Sequence, residues 1–432
     1  MLATSSAEGI LSSASLEERQ MAQRPTPTFN DPSPIDPATI ADPYPRYQQL
    51  RTEDPVHWHQ GLNGWVLTRY ADVLAALRDQ RLSSELMSGF TERLSEAANE
   101  KIQPLIRLFS DMMLMSDPPD HTRLRMLANK AFTPRVIDRM RSNIQATVEG
   151  LLDGIQQNGR QDGKFDLIED LAYPLPAIAI SEMLGVPAED RDQFKNWTGD
   201  LAAFLGNVRM VAQTGGIAQK SVLELSDYLR KIISQRRLEP QEDLISALVA
   251  AEEEGDRFSE AELYSMCILL MMAGHETTTN LIGNGLLALL QNRDQLEKLS
   301  TRPELIETAV EEFLRYDSPV QSAARIAMAD IELGGKRIEK GQRVTMILSA
   351  ANRDPERFSN PDRLDITRED NRHLSFGFGS HFCLGAALAR LEAQISIGGV
   401  VQRWPGLRLA ADELEWRYNP AFRGLKSLPV AF

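Results

Sequence analysis

The chain is predicted to be mainly α-helical with a small antiparallel β subdomain, and three observations predict it. Segments with helical apolar spacing follow one another over residues 136–157, 168–184, 189–205 and 218–238. A longer helix starts at a capping box, where Ser259 accepts from the Glu262 N–H and the glutamate side chain reaches back. Short strand pairs bracket this helical run. Residues 56–58 pair with 64–68 before it, and 331–338 form a hairpin around Gly334-Gly335 after it, with a further strand at 343–348.

Composition sets the outer limits. With 432 residues, 42% of them hydrophobic, the chain builds a core larger than one minimal domain needs. Two cysteines, Cys267 and Cys383, make no disulfide framework and point to a reducing, cytoplasmic setting. A net charge of −14 favours solubility and argues against nucleic acid as a partner. Residues 1–24 are polar and small, without the basic and apolar regions of a signal peptide, and read as a disordered tail. Residues 25–432 then form the folded domain. No uninterrupted apolar run is long enough for a transmembrane helix, so no membrane association is expected.

Taken in order, residues 25–45 are proline-dense and extended, and lead into a short helix at 44–52. A helix follows the first strand pair at 70–78. Residues 82–107 mix serine, glycine, methionine and charge without a period and read as a mobile loop. At Asp117-Pro118-Pro119-Asp120, two prolines and an aspartate start a helix with Asp120 as its N-cap. His121 and Arg125, four apart, leave that helix from one face. Gly215-Gly216 is expected to break the helical run before 218. Phe194, Trp197, Leu201, Phe204 and Leu205 are assigned to core before pocket.

The helix from Ser259 carries eight consecutive apolar residues, Met266 to Ala273, and should be covered on all sides. If it runs to residue 290 it is about 48 Å long. In its middle lies the polar block Gly274-His275-Glu276-Thr277-Thr278-Thr279-Asn280. Unsatisfied groups there cost roughly 1–3 kcal/mol each, so the block needs a use or a water. Thr277 bonding back to its own helix explains one threonine and not the cluster. Cys267 reads as core. Further on, Glu312 and Arg315 lie three apart and bond within one helical turn.

Phe376-Gly377-Phe378-Gly379-Ser380-His381-Phe382-Cys383-Leu384-Gly385 is a glycine-permitted loop that turns straight into a helix over 384–401. At that helix mouth the Cys383 thiol is expected to have a lowered pKa and to favour thiolate. A structural zinc site would need a second close ligand, which this sequence lacks. A dyad with His381, a buried thiol and one axial thiolate on a haem iron remain as readings of the residue pattern.

Phe376, Gly379, His381, Cys383 and Gly385 together resemble the haem-binding signature of the cytochromes P450. That resemblance extends from about Asp42 to the C-terminus and implies the P450 fold with haem b, Cys383 being the iron ligand. Ala273-Gly274-His275-Glu276-Thr277-Thr278 is similar to the family's oxygen-binding groove, in which Thr277 bonds the dioxygen and Glu276 relays protons. His121, Arg125, Arg325 and His381 would neutralise the haem propionates. Glu312-x-x-Arg315 is similar to the family's structural pair, completed by Arg357 or Arg368, with the spacing after Pro361 favouring Arg368. By the same resemblance residues 82–107 roof the pocket, 189–231 form its lid and 420–425 dip into it.

The implied activity is monooxygenation of a small apolar substrate such as a polyketide, macrolide or terpenoid, by a monomer. Electrons would come from a separate ferredoxin-type protein meeting Arg123, Lys130 and Arg390, since no fused flavin or iron–sulfur module follows the tail. A peroxide-driven peroxygenase and a non-catalytic haem sensor are the alternatives.

Overall fold

The computed structural model describes residues 37–432 apart from 88–99, 101, 159–162, 207–210, 254 and 420. The tail expected over residues 1–24 therefore lies outside the described residues, as do Pro420 and much of the loop expected at 82–107.

The organising element is the helix Glu260–Gln291, 32 residues long and capped by the Ser259–Glu262 box. Its Met266–Met272 stretch is buried on every side, as eight apolar residues in a row require. Other helices pack onto it. They are Pro174–Leu184, Arg191–Gly206, Ile306–Tyr316 and Ala386–Arg403. Gly285 lets two of these neighbours approach, since a Cβ there would meet Phe313 at 2.9 Å and Ile397 at 3.0 Å.

A five-stranded sheet stands beside the helices. Val56–His59 and Gly64–Leu67 pair as the expected hairpin, with Asn63 in the left-handed region at φ 47°. Ser322–Ala327 and Leu82–Ser83 add antiparallel pairs, while Arg343–Ile347 runs parallel to Gly64–Leu67. Ile331–Leu333 and Lys336–Ile338 form the Gly334-Gly335 hairpin, both glycines at positive φ. The helix Tyr70–Arg78 has the predicted bounds.

Several expectations are corrected. Gly215 and Gly216 lie inside the helix Val211–Leu238. Two glycines cost about 1 kcal/mol each against alanine, but Ala218, Val222, Leu225 and Leu229 bury one face of that helix and outweigh them. Asp120 is the first residue of the helix Asp120–Ala131 and makes no cap hydrogen bond, because the turn already begins at Pro119. The 82–107 loop is shorter than expected at its end, where Gln103–Ser110 is a helix burying Leu105, Ile106, Leu108 and Phe109. Part of 168–184 is wound wider, as a π-helical turn at Ile168–Ala172. Phe194, Trp197, Leu201 and Phe204 are core, as assigned; the side chain of Leu205 lies outside the description.

Candidate active site

The cysteine loop is folded by its own backbone. Cys383 N–H donates to the Phe376 carbonyl at 2.9 Å, and Phe382 N–H to that of Gly379 at 3.1 Å. Gly377 and Gly379 sit at φ 71° and 73°, where a Cβ is disfavoured. Gly385, at φ −83°, needs no such freedom. A Cβ there would meet no described atom within 4 Å, and its backbone N–H acts to lower the Cys383 thiol pKa. The following helix starts at Ala386, slightly later than expected.

The expected direction of the Cys383 pKa is corrected. Burial pushes the thiol up, and the Gly385 N–H, Arg125 and Arg390 offset only part of that. The helix mouth contributes as anticipated, but desolvation by the surrounding apolar side chains is larger.

Four basic side chains from three segments meet at this loop: His121 and Arg125 from the helix Asp120–Ala131, Arg325 from a strand, and His381 from the loop itself. The His121 and His381 rings are 4.0 Å apart at their centres. The charges of Arg125 and Arg325 act on both rings, and burial first, then those charges, hold His381 down at about 3. Arg325 comes from the strand Ser322–Ala327, and burial lowers its pKa as well. Ser84 Oγ bonds His381 Nε2 at 3.0 Å, and Asp117 accepts the Ser84 N–H at 2.8 Å. His121 is 1% exposed, yet neither ring nitrogen has a partner among the described residues. Buried donors without partners are rare, and two arginines beside two histidine rings, with one aspartate close by, suit anionic groups.

Behind the loop, Arg315 grips both oxygens of Glu312 at 2.8 Å, each side chain fully buried. Arg368 donates to the same carboxylate at 3.0 Å, whereas Arg357 pairs with Asp370. Of the two arginines weighed, Arg368 completes the network.

On the central helix the apolar cover ends at Ala273, which is exposed. Thr277 Oγ1 donates to the Ala273 carbonyl at 2.6 Å, and Thr279 Oγ1 to that of His275 at 3.0 Å. Helix back-bonding thus accounts for two of the three threonines. Glu276 opens on a cavity of about 40 Å³ lined by Tyr173, Thr198, His275, Thr279 and Arg417 among others, large enough for water. Burial raises the pKa of Glu276, with Arg417 the one charge pulling it back.

The family model for cytochrome P450 matches residues 91–405. The chain belongs to the cytochrome P450 family. It is 44% identical over 400 residues to the polyketide biosynthesis cytochrome P450 PksS of Bacillus subtilis (strain 168), covering 90% of this chain and 96% of that one. It is 43% identical to the vitamin D(3) 25-hydroxylase of Pseudonocardia autotrophica, covering 90% and 93%. Among solved structures, P450BioI in complex with an acyl carrier protein ligated to hexadec-9Z-enoic acid matches with a TM-score of 0.84 at 42% identity, covering 91% and 99%. This P450 is accordingly a monooxygenase with haem b as its cofactor, which the family binds through a cysteine thiolate. The residues present fit that group. The orphaned His121 nitrogens and the cation cluster suit two carboxylates, and the open side of Gly385 leaves room beside the sulfur. Among the described residues no helix is long and apolar enough to cross a membrane.

Sequence reasoning missed Ser84, Asp117 as an orienting group, and Arg417 opposite Glu276. Only Asp117 had a local signal, its place in the Asp-Pro-Pro-Asp-His motif. Of the residues expected to meet a redox partner, Arg123 pairs with Glu262 and Arg390 with Glu311.

The cysteine helix also buries Glu392, 1% exposed, with one carboxyl oxygen unpartnered among the described residues. Burial pushes its carboxyl up to about 8. A raised carboxyl pKa adds stability below the unfolded value, and this is lost as pH rises through the folded one. Between pH of about 4.5 and 8 the parent should therefore weaken, by roughly 3 kcal/mol at pH 7. Glu392→Gln should not show that decline. Urea midpoints measured across this range check it, and parallel pH profiles for the two proteins would show that Glu392 does not titrate this way.

Proposed function

We propose that this P450 inserts one oxygen atom of dioxygen into a small apolar molecule of secondary metabolism, a polyketide, macrolide or terpenoid, using electrons from a separate ferredoxin and its reductase. The observation that carries the reading is the cluster of buried His121 with half-buried Arg125, Arg325 and His381 gathered around the Cys383 loop. The relatives named for polyketide biosynthesis and vitamin D(3) hydroxylation support the substrate class.

When bound, haem b supplies the dioxygen chemistry and accepts the electrons. Cys383 would hold its iron, and the four basic side chains would hold its two carboxylates through charge-assisted hydrogen bonds. The remaining work is proton handling. Burial keeps Glu276 protonated to higher pH than an ordinary carboxyl, so it holds a proton ready beside its cavity. Thr277 Oγ1, whose own hydrogen is directed at the Ala273 carbonyl, offers its lone pairs as acceptors and so orients the water that carries that proton. Thr277 thereby positions the end of the relay, and the proton itself travels from Glu276 through water. Arg417 stabilises the Glu276 carboxylate left behind until bulk water reprotonates it.

Turnover driven by NADPH with a ferredoxin pair tests this reading. The parent should oxygenate substrate, and Glu276→Gln should slow that reaction about 10²-fold, the usual scale for a lost general acid. Peroxide-driven turnover should be nearly unchanged in the variant, because peroxide brings its own protons. The parent rate should also fall on the alkaline side as Glu276 ionises. A parent that works with peroxide alone would contradict the proposal in favour of a peroxygenase.

A further inference from the structure

A second acid–base cluster lies behind the cysteine loop, separate from the Glu312 clamp. Arg390, on the cysteine helix, donates to both oxygens of Glu311, Nε to Oε1 at 2.6 Å and Nη2 to Oε2 at 2.9 Å. His373 Nε2 meets the same carboxylate at 3.1 Å. The Arg390 guanidinium carbon lies 4.6 Å from the ring centre of Phe376, the aromatic residue that opens the loop. The His373 ring is 5.9 Å from Phe376 on the chain leading into it. One ion pair therefore ties together the Glu312 helix, the loop and the cysteine helix.

Stability alone is a weak reason for this pair. Arg390 is 31% exposed and Glu311 28%, and ion pairs so open to solvent contribute little. Their position is more telling. Arg390 lies against Phe376, whose carbonyl accepts the Cys383 N–H at 2.9 Å, and with Arg125 it is one of two cations whose charge lowers the Cys383 thiol pKa. Of these, Arg390 alone has a carboxylate recorded on its guanidinium among the described residues.

We propose that Glu311 is a positioning residue for the haem-thiolate centre, balancing the Arg390 charge beside the Cys383 sulfur and so setting the reduction potential of the iron. The inference rests on Cys383 being the iron ligand. Reduction adds one electron next to the sulfur, so an unbalanced cation favours the reduced form and an unbalanced anion opposes it. The π-face of Phe376 holds the guanidinium in place, and the paired carboxylate tempers its field. The charges close to the sulfur are thus matched rather than maximised.

Midpoint potentials of the holoenzyme, measured spectroelectrochemically, test this. Glu311→Gln should shift the potential upward and Arg390→Gln downward. Each shift should be of order tenfold in the one-electron equilibrium, about 59 mV. The double variant should return close to the parent, and Arg390→Lys, which keeps the charge, should stay near it. A purely structural role would move both single variants the same way, and that result, or no movement in either, would overturn the proposal. The carbon monoxide spectrum of the parent distinguishes this failure from the other one: a parent without a thiolate-type band would show that the Cys383 reading itself had failed.

Discussion

Arg315→Ala is expected to destabilise the protein by about 3–5 kcal/mol, the cost of breaking a buried ion pair from one side. Arg315 is fully buried, and besides both Glu312 oxygens it serves the backbone carbonyls of Asn352 at 3.0 Å, Pro361 at 2.7 Å and Arg363 at 3.3 Å. Its removal leaves three carbonyls and part of a carboxylate without donors, along with a cavity against Phe358. Arg368 and Asn371 still reach Glu312, at 3.0 Å and 3.2 Å, which keeps the loss from being larger. The segment that loses its anchor leads directly to the cysteine loop, so weaker haem retention should accompany the lower stability. Arg315→Lys should rescue little, because an ammonium does not reproduce the planar fork. Urea unfolding followed by far-UV circular dichroism measures the effect. A loss below about 1 kcal/mol would show that the clamp is not a principal support of this region.

What was legible in the sequence was what lies close together along it. The Ser259–Glu262 box, the Glu312–Arg315 pair and the Phe376–Gly385 loop each fit within about ten residues, so pattern and local geometry suffice to read them. Arg325 and His121 were placed only by resemblance, since a strand arginine and a helix histidine far apart in the chain have no local reason to meet. Their meeting is a tertiary fact, visible in the histidine ring contact and the shared fields of Arg125 and Arg325. Arg417 was missed for the same reason. It faces Glu276 from the C-terminal segment, well over a hundred residues away in the chain. Two misreadings have a common cause. Gly215-Gly216 was judged by local propensity and Cys383 by its helix mouth, and in both cases burial was the larger effect.

Cys383→Ser is expected to have the largest effect of all, and it bears on the claim that the rest of the account requires. A serine hydroxyl is a poor iron ligand at neutral pH, whereas a thiolate strengthens the donor character of the centre. Cys267 offers no substitute. It is fully buried within the central helix, and burial pushes its thiol up to about 12. The decisive measurement is the absorption spectrum of the reduced protein under carbon monoxide for the parent, Cys383→Ser and Cys267→Ser. The parent and Cys267→Ser should show the red-shifted band of thiolate coordination, and Cys383→Ser should lack it. A parent without that band, or a Cys383→Ser protein that keeps it, would contradict the assignment of Cys383 as the haem ligand.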